Sequence, residues 1–311
     1  MQIELVVTCT DRKKAPVPAD LQLRQLTRVE PRDRVAQWTG RLDSHPTQEH
    51  PAVDLYSGDH WAVARDIGRS YGGDGPVRLW VCSAGYGLVP WSARLKPYAA
   101  TFAPSHPDSV QTLGIQPADW WAALATWRPR SVSGPRRLSD LAATHPRSFL
   151  LICLSEPYLR ALSADLSVLA QSRPLATCAI ICSGVRRHPE LGHLLLPATA
   201  RWKLELGGAM QSLNIRLARL ALRHIPHWRG DGVALCAWLE AKAARLPSLQ
   251  IPSRTRLSDE TVKAWIRQEL WNTPDASTSN LLRRLRGTGQ ACEQGRFRAL
   301  YLQVAAPGQA R

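Results

Sequence analysis

The chain has 311 residues, enough for a full hydrophobic core and for two domains. No apolar run approaches the ~18 residues of a membrane span. The start, MQIELVVTC, lacks the basic lead and cleavage site of a signal peptide, so the expectation is a soluble, cytoplasmic protein. Lys plus Arg total 40 against 25 Asp plus Glu, a net charge of +15 that points to polyanionic partners. Six of those cations are lysines and 34 are arginines, the residue suited to bidentate phosphate recognition. A membrane-surface role lacks a lipidation motif or a strongly apolar amphipathic helix.

Residues 3–9 form an apolar strand-type run that ends in the polar turn Thr10-Asp11-Arg12-Lys13-Lys14. Residues 15–53 are rich in Pro, charge and His, with one helix expected near 33–42. Leu55, Trp61 and Ala64 have the spacing of a helix over 54–67. A second strand is expected at 77–82, followed by the Gly-rich turn SAGYGLVP. Helices follow at 118–127 and 138–144, then a third strand at 148–154. Ser155 and Pro157 read as the start of another helix, with Ser as N-cap. A fourth strand, 176–182, ends in Ser183-Gly184.

Apolar strands alternating with helices indicate an α/β fold: a mainly parallel sheet with helices on both faces. Such sheets bind ligands beyond the carboxyl ends of their strands. That rule puts the site where the turns 10–14, 83–88, 155–156 and 183–184 converge. The seven cysteines are an odd number and mostly lie in apolar runs, which reads as buried thiols in a reducing compartment. Cys178 and Cys182 have no second Cys/His pair at zinc spacing, so neither metal nor cofactor is expected.

Beyond residue 200 the pattern turns helical. An amphipathic helix is expected over 207–224, with Arg216, Arg219 and Arg223 toward one polar side, and another over 233–245. Three short helices, 258–270, 277–285 and 291–304, close the chain, with Ser258 capping the first. The break Arg286-Gly287-Thr288-Gly289 gives this end the look of a helix-turn-helix. Arg283, Arg284, Arg286, Arg296 and Arg298 gather at that junction, opposed locally only by Glu293, as a DNA-binding cluster. The division read from this is an α/β core with a base pocket over 1–198 and a basic helical nucleic-acid-binding region over 199–311. The second region holds 18 basic and 8 acidic residues, +10 of the +15.

Three ordered blocks within residues 1–105 resemble a known pattern. VTCTDRKK looks like an SCSxxK signature, DLYSGDHW like an LYxG helix start, and CSAGYGLVP with LKPYAATF like SAxYGL plus a Pro-Tyr element. Together they resemble the domain family related to the peroxide-stress protein YaaA and to the core of archaeosine synthase. Cys9 and Lys13 match the pattern, while Thr10 stands for its serine and Gly85 for its lysine. The later blocks ICSG, ATARWKLELGGAMQSLNIR and LRRLRGTGQACEQGRF resemble longer proteins, antiviral DNA glycosylases that excise glucosylated hydroxymethylcytosine from phage DNA. The resemblance implies a double-stranded, base-modified DNA substrate and no obligate protein partner.

A glycosylase must flip the nucleotide, hold the base, stabilise an oxocarbenium-like sugar and guide a water. Asp11 is the candidate for the last two tasks, with a turn residue as the alternative. Lys13 is the candidate for contacting a phosphate or the departing base. Asn214 and Arg216 are candidates for base recognition, or for a structural hydrogen-bonding role. Cys9, Thr10, Ser83, Tyr86 and Gly87 are candidate substrate contacts, and Tyr98 a stacking face. Two classes of function stay open: a base-excising enzyme, or a non-catalytic DNA-binding protein of the YaaA type, with a base-exchanging transferase third.

Overall fold

The computed structural model describes residues 1–26, 30, 33–104, 106–182, 189–247 and 255–305. It divides into two compact units, Met1–Ser248 and Leu249–Arg311. The first is built on a six-stranded sheet of β1 (Ile3–Thr8), β2 (Val77–Ser83), β3 (Gly87–Pro90), β4 (Phe149–Cys153), β5 (Cys178–Cys182) and β6 (Leu195–Pro197). The spatial order is β3-β2-β1-β4-β5-β6. All neighbours run parallel except β2 and β3, which form an antiparallel hairpin.

Every residue of β1, β4 and β5 is buried, so both faces of the sheet are covered. This is why these segments read as unbroken apolar runs rather than alternating ones. β3 and β6 fall outside the expected strands. β3 has four residues, from a glycine to a proline, and β6 has three, too short for periodicity to register. The turn Ser183-Gly184 lies outside the described residues.

The principal helices are α1 (Arg34–Ser44), α2 (Asp59–Tyr71), α3 (Pro117–Thr126), α4 (Leu138–Thr144), α5 (Glu156–Ala161), α6 (Ser163–Ser172), α7 (Leu213–Arg223) and α8 (Gly232–Ala244). The single helix expected over 54–67 is two: a turn at Ala52–Leu55, then α2. Gly58 separates them at φ +102°, where a side chain would strain the backbone. α7 starts six residues later than expected, because Gly207 and Gly208 hold φ of +63° and +75° ahead of it. Ser155 stands at the N-cap of α5, but its side chain caps nothing.

The expected boundary at 198/199 falls inside the first unit. α7 packs on β4, β5 and α2, burying Leu213, Ile215, Leu217, Ala218, Ala221 and Leu222 against the sheet. The second unit holds α9 (Asp259–Asn272), α10 (Thr278–Gly287) and α11 (Gln294–Ala305) around its own core of Val262, Ile266, Leu281, Leu285, Phe297 and Leu300. Ser258 caps α9 by accepting from the Thr261 N–H, and Ser277 caps α10 by accepting from that of Asn280. A short parallel pair, Thr255–Arg256 with Gln290–Ala291, ties the loops together.

Candidate functional site at the carboxyl end of strand β1

Strand order reverses at β1. The chain goes from β1 outward to β2 and β3 on one side, then returns to β4 and moves outward on the other. The crevice at such a switch point is the usual ligand position in open α/β sheets. The loop leaving β1 lies along residues 55–57. Thr10 Oγ1 donates to the Ser57 carbonyl (2.8 Å), Ser57 N–H to the Arg12 carbonyl (3.0 Å), and Lys14 N–H to the Leu55 carbonyl (2.9 Å). Asp11 is exposed, with Oδ2 3.6 Å from His106 Nε2.

Lys13 is half-buried. Its Nζ lies 4.3 Å from the Tyr98 ring centroid and 5.7 Å from that of Tyr56, and donates to the Asp11 carbonyl at 3.0 Å. Burial pulls its pKa below the ordinary lysine value, with Cys9, Asp11 and Asp108 working the other way. Beneath it runs a buried polar chain. The Tyr98 hydroxyl is 2.6 Å from Ser83 Oγ, 2.9 Å from the Tyr56 hydroxyl and 3.5 Å from Cys9 Sγ, which is 3.0 Å from the Tyr158 hydroxyl. Burial drives the pKa values of Tyr56, Tyr98 and Tyr158 well above the ordinary phenol value, so these are neutral hydroxyls.

This arrangement corrects part of the sequence reading. Tyr98 is fully buried, with Lys13 over its ring, so it is not a free stacking face. Nor do the turn's N–H groups reach outward: those of Gly85 and Tyr86 donate to Ser83 Oγ. The turn's carbonyls are taken as well. Trp120 holds Ala84, Trp38 holds Gly85, and the buried Arg136 holds Tyr86 and Leu88. The Tyr86 hydroxyl accepts from Lys96 N–H, and Gly87 is buried at φ +74° with Arg136 above it. Ser83, Tyr86, Gly87 and Tyr98 therefore form the rigid floor of the site. Gly85 has its own reason: a Cβ there would stand 2.5 Å from the Tyr98 ring.

A second group adjoins the same strand end. Asn214 is buried and sits beside His60, whose ring also lies by the Thr8 backbone. Burial lowers the His60 pKa to about 4, and its Nε2 is shielded without a hydrogen-bond partner among the described residues. Arg216, expected to touch substrate, is bound internally. It pairs with Asp59 (2.6 Å) and donates to Ser212 Oγ and the Leu206 carbonyl. Ser212 also donates to Asp59, and these bonds hold the Asp59 carboxyl below its ordinary pKa. Asp11, Lys13 and Cys9 thus share one loop and its floor, while Asn214 reaches the strand end through His60.

Tyr56, His60 and Tyr158 escaped the sequence reading. Tyr56 and His60 lie in the DLYSGDHW block, which carried a helix-start signal but no sign of the side chains' direction.

In the second unit the five arginines differ. Arg284 pairs with Glu269 at 3.0 Å and Arg296 with Asp259 at 2.6 Å, so Glu293 is not their only opponent. Glu293 itself caps the start of α11, accepting from the Gly295 and Arg296 N–H groups. Arg283, Arg286, Ser279 and Gln294 line a cleft of about 410 Å³, and Arg298 is exposed. Another cleft, about 250 Å³ in the first unit, lies at the amino end of β2, away from this chemistry. Among the described residues no cluster of three or more His, Cys, Asp or Glu could hold a metal, and no helix is long and apolar enough to cross a membrane. Comparisons with protein-family models, curated proteins and solved structures find no match to this chain.

Proposed function

We propose that this protein cleaves the N-glycosidic bond of a modified cytosine in DNA, in defence against phage, with Asp11 and Lys13 in the reacting centre. The observation that carries the reading is an exposed carboxylate and a half-buried ammonium on one short loop, at the sheet's switch point. Asp11 faces the cationic sugar and orients a water; Lys13 stabilises the departing base anion. Such electrostatic terms dominate when the charge develops only in the transition state. The +15 charge supports a polyanionic substrate, and the arginine-lined cleft of the second unit supplies phosphate contacts.

Incubation with glucosylated hydroxymethylcytosine DNA, followed by mild alkali, tests the reading through strand breaks at the abasic sites formed. Base release with strand breaks is the expected result. Retained DNA binding with no release on any modified DNA would leave the non-catalytic binding protein in its place.

A further inference from the structure

Six lysines occur in the chain, and their surroundings separate one from the rest. Lys96 is buried with Nζ on the Leu42 and Asp43 carbonyls at 2.7 and 3.0 Å, a structural pin. Lys242 and Lys263 pair with Glu205 and Glu260. Lys14 and Lys203 are exposed. Lys13 alone lies half-buried against two tyrosine rings, with one hydrogen bond, to a backbone carbonyl, and no carboxylate in ion-pairing range among the described residues. Carboxylate pairing would hold a lysine charged. An aromatic, water-poor wall does so less, which is the setting in which lysines act as nucleophiles.

We propose that Lys13 is an imine-forming amine that captures the deoxyribose aldehyde of an abasic site, giving the protein a DNA lyase activity. The proposal rests on reading the β1 edge as a glycosidic site, because base release creates that aldehyde there. Lys13 gives a proton to water, its Nζ lone pair adds to C1′ of the ring-opened sugar, and the carbinolamine hydroxyl takes a proton back from water and leaves as water, giving a protonated imine. The imine draws electrons from the C2′–H bond. Its proton passes to the Asp11 carboxylate, whose Oδ2 lies 3.6 Å from His106 Nε2. The C3′–O bond then breaks, with the 3′-phosphate leaving with its electron pair, and water returns Lys13. No oxidant or reductant is consumed. The buried hydroxyls of Tyr56, Tyr98 and Tyr158 are neutral, so the phenols beneath Lys13 add no anion against its deprotonation, which Cys9, Asp11 and Asp108 oppose. Burial of the ammonium favours deprotonation.

The test uses the full chain and a duplex carrying a preformed abasic site, so it does not depend on base release. Sodium borohydride reduces an imine to a stable secondary amine. The expected result is a covalent protein–DNA adduct on a denaturing gel, with the modified peptide mapping to Lys13. Lys13→Arg and Lys13→Gln should abolish the adduct while keeping wild-type circular dichroism, and Lys14→Arg should keep it. Absence of an adduct with wild-type protein, or an adduct mapping to another amine, overturns the proposal. Base release from modified DNA is measured separately. Release without trapping sinks the imine alone; trapping without release sinks the glycosylase reading alone.

Discussion

Asp11 carries the narrowest test at the level of one side chain. Asn keeps its size and one acceptor but removes the charge, so Asp11→Asn should slow single-turnover base release a few hundred-fold, ~3–4 kcal/mol. DNA affinity and folding should stay close to wild type, since the carboxylate is exposed and lies beside the His106 ring rather than in the core. A variant within a few-fold of wild type would return Asp11 to a turn role. His60 makes a different prediction. Its pKa falls from 6.5 to about 4 on folding, so the unfolded chain binds more protons between those values. The stability it contributes is complete above pH 6.5 and is lost as pH falls toward 4, about 3 kcal/mol in all. Unfolding free energies of wild type and His60→Gln from urea titrations, compared at neutral and acid pH, should diverge by this amount; parallel pH profiles would refute it. Asp11 was legible because a polar turn after an apolar strand is a sequence feature. His60 was not, because only the meeting of α2, α7 and the end of β1 shields its ring nitrogen.

Helix boundaries show how far local chemistry reaches. Ser258 and Ser277 cap their helices through bonds to residues three positions on, and this local pattern is readable from sequence. α4 is capped from a distance. Its N-cap residue, Arg137, gives no side-chain bond, and the buried Asp165 of α6 instead accepts from Leu138 N–H, Ser139 N–H and Ser139 Oγ. Asp165→Ala should leave these donors unpaired in the interior and cost about 2 kcal/mol. In a unit of this size that lowers Tm by about 4–8 °C, measurable by thermal denaturation. Asp165→Asn, which keeps one acceptor oxygen, should recover part of the loss. An unchanged Tm for the alanine variant would show that water replaces the cap.

Across the whole molecule the excess of arginine sets the expected response to salt. Arg284 and Arg296 are neutralised by Glu269 and Asp259, which leaves Arg283 and Arg298 as the freer cations of the cluster, together with Arg286 in the cleft. DNA affinity should fall steeply with ionic strength. Replacing Arg283 and Arg298 together by alanine should flatten the slope of log K against log salt by ~1.8, about 0.9 for each phosphate no longer neutralised. Replacing Arg284 should change the slope much less and cost ~0.2–1 kcal/mol of stability with its ion pair. A salt titration of fluorescence anisotropy decides; equal slopes for both variants would mean that the internal pairs open on binding.

The amino-acid sequence by itself determined the α/β class, the four longest strands, the Ser258 cap of the last unit and the polar loop at 10–14. Each depends on neighbours along the chain, through burial on both faces, turn chemistry and capping. Only the tertiary structure decided strand order, and with it the switch point at β1. It alone turned Ser83, Tyr86 and Tyr98 inward as a floor, committed Arg216 to Asp59, and joined residues 199–247 to the sheet. The reason is physical: a buried polar side chain must find a partner, and that partner can lie about 150 residues away, as Tyr158 does from Cys9. No pattern of neighbours along the chain records such a pairing.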